Sequence, residues 1–214
     1  DQVVYKNPNG DWSVADGGRW RAPDKSCSVT AMDNRIYFKN NPWPEGHAVK
    51  DFCWTAEVRE GMVWFHFHLE TDDYYAERNI DDGEDAEYDS DWQAPIVWGN
   101  YHRCTLSTNE WHDGGFKVCP EAEYTEALVD GLELEVDMHP DAIEDWDDFA
   151  FHIYLLGHDA AAQHQIKFVR TGPATFDIEW SGKIAQAYVG DYNFKHDFST
   201  RLAGVKMPEL TAAQ

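Results

Sequence analysis

Along most of its length the chain alternates apolar and polar residues with a period of two. The clearest case is Met62-Val63-Trp64-Phe65-His66-Phe67-His68-Leu69. Val63, Phe65, Phe67 and Leu69 fall on one side, and Trp64, His66 and His68 on the other. Successive side chains of a strand point to opposite faces, so the pattern predicts a strand with one buried face. Residues 51–58 read as a partner strand, joined to it by a hairpin turn at Glu60-Gly61. Leu132, Leu134, Val136 and Met138 alternate with Glu133, Glu135, Asp137 and His139 in another two-faced strand, ended by Pro140. Further strands are expected at 35–38, 95–106, 115–119, 149–156, 165–170, 175–180, 183–189 and 193–198. Residues 120–129 read as a short helix, with Pro120 at its start and Gly131 just past its end. Many short strands and almost no helical period predict an all-β fold. The expectation is one antiparallel, sandwich-like domain over residues 1–214, with long loops and little helix.

Charge narrows the choice of partner. The 214 residues carry 17 basic and 40 acidic side chains, a formal net charge of −23. Phosphate backbones need a cationic face, so nucleic acid is not an expected partner. The same charge favours cations near the surface. No window holds the roughly 18 unbroken apolar residues of a spanning helix. Cys27, Cys53, Cys104 and Cys119 form no C-x-x-C pair. Two disulfides are expected, Cys27–Cys53 and Cys104–Cys119, each closing a local loop. That implies an exported protein, secreted or held at the outer cell surface. The chain opens at Asp1 with no leader-like segment and reads as a mature form.

Candidate chemistry centres on the ten histidines. On a strand, side chains two apart start about 6.6 Å from each other, within reach of one metal ion. His66 and His68 satisfy that spacing. His47, His102 and His112 lie in or near expected loops and read as surface residues, while His158 and His164 flank an expected turn. His196 alternates with Phe194 and Phe198 and reads as a hydrogen-bonded core residue. His139 and His152 stay open as further ligands. Residues 70–94 form an acidic insertion whose carboxylates around Gly83 read mainly as solvated; calcium is a weaker expectation, since the spacing does not match an EF-hand. Neither H-E-x-x-H nor G-x-S-x-G occurs, so the familiar hydrolase routes have no foothold, and no enzyme activity is expected.

Trp64-Phe65-His66, in an acidic and mostly β chain, resembles the surface-associated copper-binding proteins of methanotrophic bacteria, the MopE/CorA (copper-repressible) type. The resemblance implies an extracellular protein that holds one Cu(I) for copper acquisition. It implies that Trp64 is oxidised to kynurenine, whose aryl amine binds copper together with His66 and a second, downstream histidine. His139 lies at about the implied distance, with His68 and His152 as alternatives. Imidazoles and an aryl amine suit a low-charge soft ion. Indole is a poor ligand because its N–H only donates, and ring opening supplies the missing lone pair. Two other functions compete. Ten Trp, ten Tyr and eleven Phe could serve a carbohydrate-binding β-sandwich, although most aromatics of such a chain fill its core. A secreted metalloenzyme using His66 and His68 is the other alternative.

Overall fold

The structure, a computed structural model, describes residues 34–77, 87–108 and 114–212, together with the backbone of two short N-terminal strands. These two, β1 (Val4–Lys6) and β2 (Trp12–Val14), pair antiparallel. The remaining strands are β3 (Arg35–Phe38), β4 (His47–Arg59), β5 (Met62–Thr71), β6 (Thr105–Ser107), β7 (Phe116–Pro120), β8 (Glu133–Val136), β9 (His152–Tyr154), β10 (His158–Gly172), β11 (Thr175–Ala185), β12 (His196–Lys206) and β13 (Leu210–Ala212). Helix is confined to single turns, including α1 (Pro95–Trp98) and α2 (Glu126–Val129).

Hydrogen bonding runs β4-β3-β12-β11-β10-β9-β6-β5, and β4 pairs again with β5. The sheet therefore closes on itself as an eight-stranded barrel with extra strands, and not as the expected sandwich. Alternation cannot separate the two, because both put every second residue inside; closure depends on which distant strands meet. β13 adds in parallel to β4, β7 extends the far half of β5, and β8 extends the far half of β10. The β6–β9 pairing that completes the wall is three residues long.

The barrel is filled, not hollow. Phe67 lies at its centre, with ring centroids of Phe52, Phe116, Trp180, Phe168, Trp54 and Phe151 between 5.2 and 6.4 Å away. Phe65, Phe67, Phe168, Phe176, Ile178 and Leu202 are wholly excluded from solvent. Among the described residues, interlocked edge-to-face rings fill the interior of the eight strands. His164 joins this interior at the bulge where Gln163 takes φ 53°. Its Nδ1 accepts from Trp180 Nε1 at 3.2 Å. Gly182 faces it, and a Cβ there would come within 3 Å of both His164 and Phe198.

Several expectations change. Residues 158–164 belong to β10 and are no turn; 175–180 and the first three residues of 183–189 form one strand, β11, and 187–189 form a 3-10 turn. Pro95 opens the helical turn α1 instead of a strand, since Trp98 is buried there and donates to the Trp92 carbonyl at 2.8 Å. Of the expected helix 120–129, the last turn is α-helical and an earlier one is 3-10. His47 is buried between Trp43, Tyr74 and Trp98, not on the surface. His196 meets its expectation in part: it stacks on Trp92 at 3.9 Å and hydrogen-bonds Gln186, but it is half-buried and not in the core.

Cysteine pairing is also corrected. Cys104 and Cys119 are buried thiols, not a disulfide. The Cys104 carbonyl accepts from Thr71 N, whereas Cys119 pairs with Val63. Eight residues of β5 hold them about 26 Å apart at 3.3 Å per residue, far beyond a bridge. Cys53 is disulfide-bonded; Cys27, its expected partner, lies outside the described residues, as do His112 and the carboxylates at 81–85.

Two predictions follow from these interiors. Alkylation of the unfolded but unreduced protein labels Cys104 and Cys119 and spares Cys53; protection of the first two would restore the bridge. For His164, burial pushes the pKa down to about 3. The unfolded chain gains a proton near pH 6.5 while the barrel stays neutral, so stability present above that pH is lost as pH falls, by about 1.4 kcal/mol per unit. His196, lowered to about 4 mainly by burial, acts in the same direction. Asp137, raised to about 6 by burial, opposes both, since the folded carboxyl protonates first. Urea unfolding followed between about pH 7 and 5 shows a falling midpoint, with a shallower slope for His164→Met. An equal slope in the variant would contradict the neutral buried ring.

Candidate metal centre

The β4–β5 hairpin builds the site by arithmetic. Glu60 and Gly61 both take positive φ, 50° and 74°, as a two-residue hairpin turn requires. Partner numbers therefore sum to 121, and Glu57 faces Trp64, Thr55 faces His66 and Cys53 faces His68. With Phe65 and Phe67 locked in the core, Trp64, His66 and His68 must point outward.

His66 is nevertheless almost fully covered, at 6% exposure. Its Nδ1 lies 3.4 Å from Thr108 Oγ1. That hydroxyl donates to the Phe67 carbonyl at 3.3 Å, leaving its lone pairs to accept. The same hydroxyl accepts from Phe67 N at 3.1 Å, so Thr108 fixes the ring's orientation and turns Nε2 the other way. Holding one imidazole nitrogen by a second group orients the other for a cation.

Nε2 meets a cation. Arg59 Nη2 lies 3.4 Å from His66 Nε2, and the Arg59 guanidinium carbon stands 5.1 Å from the centre of the Trp64 ring. Glu57 anchors that guanidinium and also comes within 3.2 Å of His66 Nε2. One positive group thus touches the indole and the imidazole together, over a carboxylate that balances it. On this observation Trp64 and His66 fit a cation as a pair.

Gly115 makes the imidazole's position possible. Its φ of 105° suits glycine, and a Cβ there would lie 2.6 Å from His66 Cε1.

His139 lies elsewhere. β8, which precedes it, pairs with β10 and not with β5. His139 is exposed, and its neighbour Met138 lines a cleft of about 740 Å³ over the outer face of β10, β11, β12 and β3. The other two candidates share one row: Cys53, His68, Ser107 and His152 stand in register across β4, β5, β6 and β9. His68 Nδ1 is 3.1 Å from Ser107 Oγ. Two strand spacings, about 9.6 Å, separate the His68 and His152 backbones. Among the described residues, no three His, Cys, Asp or Glu side chains gather as a metal-binding group.

Sequence reading missed Glu57, Arg59, Thr108 and Gly115. The first two were accessible from the hairpin count, given the turn. The latter two come from long-range pairing, which no local pattern announces. Comparisons with protein-family models, curated proteins and solved structures find no match.

Gly115→Ala is expected to cost about 1–2 kcal/mol from its positive φ, plus whatever displaces the ring. In a thermal-unfolding double-mutant cycle with His66→Ala, the second substitution relieves the clash, so the joint loss is smaller than the sum. Strict additivity would show that Gly115 is needed for its backbone alone.

Proposed function

We propose that the protein binds copper as Cu(I) outside the cell, for acquisition and not for catalysis. The reading rests on the resemblance of Trp64-Phe65-His66 and on one observation: the Arg59 guanidinium contacts both Trp64 and His66. A seat that holds an organic cation against these two side chains, beside a carboxylate, has the charge balance that a soft monovalent ion requires. Copper binding exchanges the guanidinium for the metal, with Glu57 left to balance either charge.

Trp64 contributes after oxidation. Dioxygen adds across the indole C2–C3 bond and cleaves it, giving N-formylkynurenine. Water then removes the formyl group as formate and leaves an aryl amine with a free lone pair. His66 supplies Nε2, oriented through Nδ1 by Thr108. The second histidine is His139 in the resemblance, and His68 or His152 if the outer row beside β5 supplies it. No calcium ligand is assigned, because the acidic stretch at 81–85 lies outside the described residues.

Copper content and peptide mass of protein from its native source test the reading together. About one copper per chain is expected, with the tryptophan-to-kynurenine mass change on the peptide containing Trp64. His66→Ala abolishes tight Cu(I) uptake, whereas Arg59→Gln removes a competing cation and preserves it. Among His68→Ala, His139→Ala and His152→Ala, the one that also loses copper identifies the second histidine. Full copper content in His66→Ala would remove this strand from the site.

A further inference from the structure

The outer face of the thinnest wall carries a second cleft, of about 530 Å³, over β6, β9 and β10. That size falls within the range of about 300–1,000 Å³ usual for small-molecule sites. Trp146 and Tyr192 form one side, with ring centroids 5.3 Å apart and inclined at 52°. Both stay open to solvent, at 41% and 59%. Behind them Phe149 is buried and packs on Trp146 at 5.5 Å. Two turns hold the pair in place. Asp145 accepts from Asp147 N beside Trp146, and Asp191 accepts from Asn193 N beside Tyr192. Large apolar side chains are not left at the surface of such turns by a need for packing.

The opposite side is polar. His152, Tyr154 and His158 line it from β9 and β10, and Asp147 and Asp159 add carboxylates. Asp159 Oδ2 accepts from Leu156 N at 2.9 Å, and Oδ1 is closed to solvent, so this carboxylate braces the wall. Burial raises its pKa.

We propose that this cleft binds a neutral pyranose sugar. The open rings of Trp146 and Tyr192 present flat apolar faces to the C–H side of the sugar. The Asp147 carboxylate, with His152 and His158, serves its hydroxyls as acceptor and donors. A net charge of −23 and two carboxylates in the cleft exclude anionic sugars. A metal is not the occupant indicated, as no three ligating side chains converge among the described residues. Trp146 and Tyr192 touch each other at a tilt, which gives a platform and not the enclosing cage that an organic cation prefers. The cleft includes neither Trp64 nor His66, and it shares with the proposed copper site only His152, one of the candidate second histidines.

Saturation-transfer NMR on the full chain tests it, using methyl β-glucoside, methyl β-galactoside, methyl α-mannoside and N-acetylglucosamine. Transfer to at least one of them is expected. Trp146→Ala and Tyr192→Ala each weaken that binding about tenfold, while Trp146→Tyr retains most of it. His66→Ala leaves it unchanged whatever becomes of copper. The proposal is overturned if none of the four sugars shows transfer, if the Trp146→Ala/Tyr192→Ala double variant binds like the parent, or if tetramethylammonium binds in their place.

Discussion

The packing of Phe65 and Phe67 into the barrel is the constraint on which the rest depends. A strand can slip by one residue only by exchanging its two faces. Here one face is two phenylalanines wedged among Trp54, Phe116, Phe168 and Trp180. Turning them out would expose some of the best-packed surface in the molecule, so Trp64, His66 and His68 are held outward by what lies beneath them. The candidate centre is thus positioned by the core and not by loops.

Electrostatics complete what packing begins. The outer face of the hairpin places Glu57 and Arg59 around His66 Nε2, and the balance between them decides what a cation meets there. Charge spread over the surface attracts positive ions without choosing among them. Any selection must come from the local donors, which in the proposed copper reading are the His66 imidazole and the aryl amine of an oxidised Trp64. The guanidinium compensates the half-buried Glu57 carboxylate.

The barrel's weak side has its own logic. β6 and β9 are three residues each, and their short ladder joins two long, strongly packed halves. Over that short wall lies the cleft with the open Trp146 and Tyr192. Irregular chain on each side of β9 is free to shape a surface there because the long strands already carry the core. The two candidate surfaces meet along the row through His68, Ser107 and His152, one on either side of it.

Period-two alternation at 62–69 was enough to orient Trp64 and His66 together, because side-chain direction on a strand is a local property. Strand content and the Glu60-Gly61 turn were legible on the same ground, and the turn carried Glu57 and Arg59 with it. Closure into a barrel was not, since an inward phenylalanine looks the same in a sandwich. Neither was the separation of Cys104 from Cys119, which follows from β6 and β7 taking opposite ends of one strand. The burial of His47 and His164 and the fit of Gly115 against His66 also needed distant elements to meet. Sequence by itself determined which residues share a face. Only the tertiary structure decided which faces meet, because pairing between strands far apart in the chain is set by the packing of the whole core.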